Sequence, residues 1–235
     1  MVEIIPAIIP QSIADIREKG NRVRGLVPVI QIDICDGIFV PRASWPYVTG
    51  GPQELRRLID TGQNLPLWDE FSYEVDLMVA HPEDVVGAWI DLGVRRVIVH
   101  VESTKEVKKI LALLEKRIAE CPDYGGISPI EFGLALGVET PISTLAPYNN
   151  RIDFVQVMGI ARIGYQGERF DERAIAKISQ LRREYPHLII SVDGGVNFQS
   201  APRLIEAGAS RLVSGSVVFG SGNPAEAIKK LSGDV

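Results

Sequence analysis

The chain has 235 residues and carries 25 Lys or Arg against 30 Asp or Glu, which gives a formal net charge of −5. Hydrophobic residues make up 46% of it, enough to build a core, so a globally disordered chain is excluded. The acidic balance argues against nucleic acid as a partner, because phosphate backbones need clustered Lys and Arg, but backbone N–H groups can still bind a small phosphorylated molecule.

Short β-branched runs alternate with helix-patterned segments along the chain. Most of these runs are continuously apolar, which is typical of parallel strands covered by helices. The eight predicted strands span residues 3–9, 27–34, 72–79, 96–101, 131–138, 154–159, 188–193 and 211–214. Apolar residues at helical spacing predict helices over residues 82–93, 104–119, 171–184, 200–208 and 224–231.

Eight strand–helix units in a chain of this length predict an α/β fold, a single (β/α)8 TIM barrel that occupies residues 1–235 as one domain. A doubly wound open sheet is the alternative. No low-complexity linker and no shift in composition divides the chain.

Two connections between predicted elements are long. In a barrel, residues 35–52 lie on the catalytic face, where they form either a lid or an inert surface excursion, and residues 121–129 lie on the opposite face. Trp45, Pro46 and Tyr47 are expected to be exposed. They belong to a lid, to an interface between copies of the chain, or to neither, so a homo-oligomer stays open.

Two cysteines, Cys35 and Cys121, are far apart in the sequence and have no metal-type spacing. A disulfide framework and a zinc knuckle are therefore not expected. The first residues lack the pattern of a secretion signal, and no apolar run reaches the roughly 18 residues that span a bilayer. We expect a cytoplasmic protein without a membrane partner.

Acidic residues recur at the carboxyl ends of the predicted strands, where barrel enzymes have their active sites. Asp33, Asp76 and Asp193 each lie in or at the end of an apolar run. A carboxylate there is costly unless it is paired, hydrogen-bonded or metal-bound, so these three are candidates for function. Glu74 lies two residues deeper in its strand and is expected to be structural. His100 is either a hydrogen-bonded core residue or a functional group.

Glycines follow the last two predicted strands, and a short helix is predicted after Ser216. Gly194, Gly195, Gly215 and Ser216 form a predicted phosphate site, because glycine permits close backbone approach and these loops commonly bind phosphate in barrels. Two tight turns are the alternative. No predicted strand contains a lysine, which argues against Schiff-base aldolases and lysine-centred decarboxylases.

These features resemble the ribulose-phosphate 3-epimerase family along nearly the whole chain. The motifs that carry the resemblance span residues 6–9, 32–41, 75–79, 100–102, 192–197 and 214–220. The resemblance implies a barrel of the ribulose-phosphate-binding type, which moves one proton at C3 of a pentulose 5-phosphate through an enediolate. It implies that Asp33 and Asp193 are the acid and base, and inversion does require two such groups on opposite faces of the substrate.

The resemblance also implies a metal ion, which this family usually holds with two histidines and two aspartates. Gln31 and Asp76 stand at the two histidine positions, which leaves Gln31, Asp33, Asp76 and Asp193 as an all-oxygen set. Oxygen ligands suit Mg²⁺ or Mn²⁺ better than Zn²⁺. We therefore expect either a hard divalent ion or loss of the metal.

Further positions bear on the substrate. The resemblance implies that Met78 and Met158 shield the enediolate, and that Cys35 replaces a third methionine. Gly164 and Gly167 match the family's substrate loop after the sixth strand. Arg162 in this loop contacts either the substrate or only solvent.

The expected function is epimerisation of a phosphorylated ketose, with ribulose 5-phosphate and xylulose 5-phosphate as the first pair to test. One alternative is another phosphosugar isomerase or an aldol-type lyase on the same barrel. A phosphosugar-binding protein without turnover is the other.

Overall fold

Nine parallel strands and eight α-helices alternate along the part of the chain that the computed structural model describes, residues 2–120, 130–165 and 167–233. The strands are β1 (Glu3–Ile5), β2 (Ala7–Ile8), β3 (Val29–Cys35), β4 (Ser72–Met78), β5 (Arg96–His100), β6 (Glu131–Leu136), β7 (Phe154–Met158), β8 (Ile189–Asp193) and β9 (Arg211–Val213). The helices are α1 (Ile13–Val23), α2 (Gly51–Asp60), α3 (Val86–Asp91), α4 (Val107–Glu120), α5 (Arg173–Glu184), α6 (Ser200–Ala207), α7 (Ser216–Gly220) and α8 (Pro224–Ser232). The predicted connection 121–129, with Cys121, lies outside the described residues.

The sheet curls into a barrel that closes at Pro6. Its strand order runs β1-β9-β8-β7-β6-β5-β4-β3-β2, so the first and last strands of the sheet are consecutive in the chain. The carbonyl of Ile5 accepts a hydrogen bond from Ser214 N, whereas the carbonyl of Pro6 accepts one from Gln31 N. Proline has no N–H to give, so the chain changes partner there. The barrel architecture is confirmed, but the predicted strand over residues 3–9 is two strands, which makes nine instead of eight.

All five helices predicted with ranges and the short helix predicted after Ser216 are present, although the one over 82–93 begins as a 3₁₀ turn, Pro82–Asp84. Helices α1 and α2 were not predicted. Ser12 caps α1, where its Oγ accepts a hydrogen bond from Asp15 N at 3.1 Å. Only Ile16, Gly20 and Val23 of α1 are buried, so its apolar stripe is sparse. Among the described helices, none combines the length and apolarity that crossing a bilayer requires.

Part of the connection over residues 35–52 packs into the core. Trp45 is 1% exposed, and its ring centroid lies 5.9 Å from that of Trp89 in an edge-on contact. Pro46 is also buried, and Tyr47 is exposed. The expectation of exposed Trp45 and Pro46 is wrong, because a large indole gains more by burial against a second indole than by solvation.

Charged side chains fill the end of the barrel where the strands begin. Arg96 and Arg211 bind Glu3 and Glu131 through contacts of 2.8–3.3 Å. Glu74 is fully buried beside them, with Oε2 3.7 Å from Arg96 Nη1, and none of the described residues forms a hydrogen bond to either carboxyl oxygen. Burial raises the pKa of Glu74 to about 8, although the nearby arginines oppose the rise. Glu74 therefore belongs to the scaffold, as its position in the strand predicts.

Replacing Glu74 by Gln is expected to stabilise the protein relative to wild type, and increasingly so as the pH rises from about 5 to 8. The folded protein holds the Glu74 proton up to a pKa of about 8, whereas the unfolded chain releases it near the ordinary value of 4.5, so only the wild type loses stability across this window. Urea unfolding at several pH values measures the difference. Glu54→Gln, at an exposed position of α2, is the control. A Glu74→Gln difference that does not change with pH would contradict the assignment.

Candidate active site

Three carboxylates meet inside the barrel near the carboxyl ends of its strands. Asp33 lies on β3, Asp76 on β4 and Asp193 at the end of β8. One oxygen of each lies within 4.8 Å of the others. Asp33 and Asp76 are direct partners in the parallel register and are buried, whereas Asp193 is partly exposed. The fold thus brings together the three acids that the strand ends predict.

Gln31 bridges two of these acids. It lies two residues before Asp33 on β3, so the two side chains share a face of the strand. Its Nε2 donates to Asp33 Oδ1 at 2.7 Å and to Asp193 Oδ2 at 2.8 Å. Its Oε1 is buried and has no hydrogen-bond partner within the part of the chain that the structure describes. The structure therefore turns the nitrogen of Gln31, and not its oxygen, toward the carboxylates.

Asp76 is held by different donors. Its Oδ1 lies 3.0 Å from His100 Nε2, and its Oδ2 accepts from Gln156 Nε2 at 3.0 Å. Gln156 Oε1 in turn accepts from Ser191 Oγ at 3.3 Å. His100 is thus a hydrogen-bonded core residue. Sequence reasoning missed Gln156 and Ser191, although each is a polar residue inside an apolar strand, the same signal that finds Asp33.

Burial and mutual repulsion raise the pKa values of Asp33 and Asp193. Burial and the charges of Asp193 and Asp76 raise the pKa of Asp33 well above its usual range. Burial and the Asp76 charge raise the pKa of Asp193 to about 7, against the hydrogen bond from Gln31. Burial lowers the pKa of His100, but the charge and hydrogen bond of Asp76 outweigh it, so the net shift is upward. Near neutral pH, the Asp33–Asp193 pair can therefore hold one proton.

A pocket opens over these acids. Ten of the residues predicted for the site line it, namely Asp33, Met78, Met158, Gly164, Gly167, Asp193, Gly194, Gly195, Gly215 and Ser216. Gln31, Asp76, Cys35 and Arg162 are not among its lining residues. The pocket is also lined by several apolar or weakly polar residues that were not predicted for the site, namely Ile160, Tyr165, Val196 and Val213. Nothing in their sequence pattern separates these residues from core.

The glycines after β8 bring backbone to the pocket wall. Gly194 and Gly195 have φ angles of 95° and 66°, which side chains other than glycine rarely adopt. A Cβ at Gly195 would lie 2.6 Å from the Cα of Phe170. Gly215 and Ser216 stand at the start of α7 on the neighbouring side of the pocket. The loop after β8 therefore requires glycine at both positions, because of their backbone conformation and, at Gly195, the closeness of Phe170.

Soft and apolar residues surround the acids. Cys35 packs with Ile9, Val40 and Met78, and burial raises the pKa of its thiol, so it is a neutral side chain. Met158 packs in a separate cluster whose other buried members are Ile98, Ala135 and Phe154. Met78 and Met158 both reach the pocket, whereas Cys35 supports its wall from behind.

Two loops meet over the mouth of the barrel. Gly164 lies so close to Val40 that a Cβ on the glycine would be 2.8 Å from that of the valine. Arg162 pairs with Glu168 at 2.5 Å and lies 5.3 Å above the ring of Tyr165. Its side chain is 70% exposed, which agrees with the solvated alternative for this residue. Gln166 lies outside the described residues.

Ser44 fastens the connection over residues 35–52 to the site. Its Oγ accepts from Cys35 N at 2.9 Å and donates to the carbonyl of Asp33 at 2.9 Å. Ser44 is fully buried. The start of this connection is therefore part of the scaffold that positions Asp33.

Fold and site together define a class of protein, the parallel barrels whose pocket lies at the carboxyl ends of the strands beside glycine loops after the last two strands. Residues 3–219 match the model of the Ribulose-phosphate 3 epimerase family. The chain therefore belongs to the ribulose-phosphate 3-epimerase family, whose members are isomerases acting on carbohydrates.

Named relatives span the whole chain. A ribulose-phosphate 3-epimerase of Bacillus subtilis (strain 168) is 29% identical over 245 residues, which cover 99% of each protein. The chloroplastic ribulose-5-phosphate-3-epimerase of Arabidopsis thaliana is 32% identical over 96% of this chain and 74% of its own length. Among solved structures, KGPDC from Streptococcus mutans has a TM-score of 0.67 at 14% identity, covering 100% of this chain and 97% of that one. At that identity the likeness shows the fold alone.

Ser44→Ala is expected to lower the free energy of unfolding by about 1–3 kcal/mol, because the buried N–H of Cys35 loses its acceptor. The matched control is Ser221→Ala, whose Oγ bonds, among the described residues, only to Asn223 in an exposed turn. Urea unfolding of both variants measures the effect. Equal losses in the two variants would show that Ser44 does not fasten the connection.

Proposed function

We propose that the protein epimerises a phosphorylated ketose, with ribulose 5-phosphate and xylulose 5-phosphate as the first pair, and that Asp33 and Asp193 are its two proton-transfer groups. One observation carries the proposal: carboxylates from β3 and β8 line one pocket and share the same N–H donor at 2.7 and 2.8 Å. Membership of the ribulose-phosphate 3-epimerase family supports it.

The proton transfer needs one ionised and one protonated acid. An ionised carboxylate removes the C3 proton, the C–H electron pair becomes the C2=C3 double bond, and the carbonyl oxygen takes the negative charge. The second acid then delivers its proton to the other face of C3, which inverts that centre. The raised pKa values of Asp33 and Asp193 favour a pair with one proton near neutral pH, so the two can exchange roles with the direction of reaction.

The rest of the pocket suits a sugar phosphate. Phosphate would lie against the main chain of the loops after β8 and β9, where Gly194, Gly195, Gly215 and Ser216 line the pocket. Gly164 and Gly167 would close over it from the loop after β7. Met78 and Met158 would keep water from the planar intermediate, since thioether side chains are apolar and polarisable.

The donor set fits a hard divalent ion. Asp33, Asp76 and Asp193 offer carboxylate oxygens within 4.8 Å of one another, and Mg²⁺ and Mn²⁺ prefer such ligands over the nitrogen and sulfur that Zn²⁺ favours. We include this ion in the proposal, with Gln31 as a further ligand only after a half-turn of its amide brings Oε1 to the acids. A bound divalent ion supplies positive charge that stabilises the oxyanion of the intermediate.

Replacing either acid by its amide is expected to slow proton exchange at C3 strongly. Asp33→Asn and Asp193→Asn should each lower the rate by about 10²–10⁴-fold, because each removes one of the two proton-transfer groups. The assay incubates pentulose and hexulose phosphates in deuterium oxide and follows the C3 proton by NMR. Asp69→Asn, at an exposed position, is the control.

The same assay separates the alternatives. Carbon–carbon cleavage products would identify a lyase, and binding without exchange would identify a non-catalytic sugar-phosphate protein. Wild-type rates in both Asp33→Asn and Asp193→Asn would contradict the assigned roles.

Adding Mg²⁺ or Mn²⁺ to chelator-treated protein is expected to raise both the exchange rate and the thermal unfolding midpoint, and Zn²⁺ is expected to do so less. The reason is the all-oxygen donor set of Asp33, Asp76 and Asp193. Asp76→Asn should weaken the response, and Asp69→Asn should leave it unchanged. If no ion changes the rate or the midpoint, the metal part of the proposal is wrong.

A further inference from the structure

Asp76 is held in a way that sets it apart from the other two acids. Both of its oxygens face N–H-bearing side chains, His100 on one side and Gln156 on the other, each at 3.0 Å. Asp76, His100 and Gln156 are all fully buried. Asp76 does not line the pocket, whereas Asp33 and Asp193 do. Its carboxylate is therefore fixed in place but not positioned to reach a substrate carbon.

Asp76 and Ser191 together fix which way the Gln156 amide points, because the carboxylate accepts from Nε2 and the hydroxyl holds Oε1. Gln156 on β7 and Ser191 on β8 are direct partners in the parallel register. The Ser191 hydroxyl donates to Gln156 Oε1 at 3.3 Å, which leaves Gln156 Nε2 as the atom that faces Asp76. Gln156 thus reaches from β7 to an acid on β4, with β5 and β6 between them in the sheet.

This arrangement leaves Asp76 with free acceptor capacity. An ionised carboxylate has about four lone-pair sites on its two oxygens. The contacts from His100 and Gln156 use one site on each oxygen. The remaining lone pairs include those of the oxygen that lies within 4.8 Å of Asp33 and Asp193. Carboxylates that ligate metals are commonly fixed by such outer hydrogen bonds.

We propose that Gln156, oriented by Ser191, is a positioning residue that fixes Asp76 as the third carboxylate of a divalent-cation site. In this arrangement Asp76 contributes charge and a ligand, and the proton transfers are left to Asp33 and Asp193. This inference rests on the proposed function, from which it takes the cation. It concerns Gln156 and Ser191, which were not among the predicted site residues.

The test is the affinity of the 235-residue chain for Mn²⁺, measured by the electron paramagnetic resonance signal of the free ion. Gln156→Leu removes the amide at nearly constant volume and is expected to weaken binding about 10–100-fold, the range typical of outer hydrogen-bond partners. Gln180→Leu makes the same chemical change at an exposed position of α5 and should leave the affinity unchanged. In Mn²⁺-saturated enzyme, Gln156→Leu should lower kcat with little change in KM, because the phosphate loops are untouched.

Two further variants guard against a folding defect in Gln156→Leu. Ser191→Ala removes no contact of Asp76 but leaves the buried Gln156 Oε1 without its donor, so it should weaken Mn²⁺ binding while the protein stays folded, at a somewhat lower thermal midpoint than wild type. Gln156→His retains an N–H donor and should recover part of the affinity. Wild-type affinity in folded Gln156→Leu, or in Ser191→Ala, would overturn the inference, and so would a wild-type protein that binds no Mn²⁺.

Failure of the proposed function gives a different result. A protein that binds Mn²⁺ but exchanges no C3 proton of any sugar phosphate would refute epimerisation, and the affinity ratio of Gln156→Leu to Gln180→Leu would still decide this inference. Conversely, C3 exchange in wild type together with unchanged Mn²⁺ affinity in Gln156→Leu would refute this inference alone.

Discussion

Confining three carboxylates to the interior of one apolar barrel is the physical constraint on which the rest of the site depends. Their oxygens lie within 4.8 Å of one another, and buried like charges repel unless they are protonated, paired or bound to a cation. In this barrel, side-chain N–H groups lie against the carboxylates. Gln31 serves Asp33 and Asp193, and His100 and Gln156 serve Asp76. This division leaves one pair of acids free to share a proton and one acid fixed.

Buried charge is stabilised differently at the two ends of the barrel. At the end where strands begin, Arg96 and Arg211 neutralise most of the acidic side chains around Glu74. At the end where strands finish, the described residues place no arginine or lysine against the acids, and glycine loops open the pocket to an anion. The arginines therefore stabilise a scaffold at the first end. At the second end the carboxylates stay reactive, and their negative charge is left for a ligand to neutralise.

The place of Asp33, Asp76 and Asp193 in or at the end of apolar runs was enough to predict them as site residues. A carboxylate in such a place has few stable environments except an active site or a metal site. Gln156 and Ser191 also lie inside apolar strands. Amide and hydroxyl groups in strands readily find hydrogen-bond partners, however, so their presence alone does not indicate a functional site. Which atom of the Gln31 amide faces the acids depends on neighbours from β8, and the sequence of β3 cannot specify it. Trp45 was misplaced because its burial depends on Trp89, 44 positions away in the chain.

The most direct measurement of the central claim is the fate of the C3 hydrogen during early turnover in deuterium oxide. With two opposed acids, the product epimer should carry solvent deuterium at C3 from the first turnovers, while recovered substrate still carries its original hydrogen. A product that retains the substrate's own hydrogen would mean that one group transfers it internally, and the assignment of Asp33 and Asp193 as separate acid and base would be wrong.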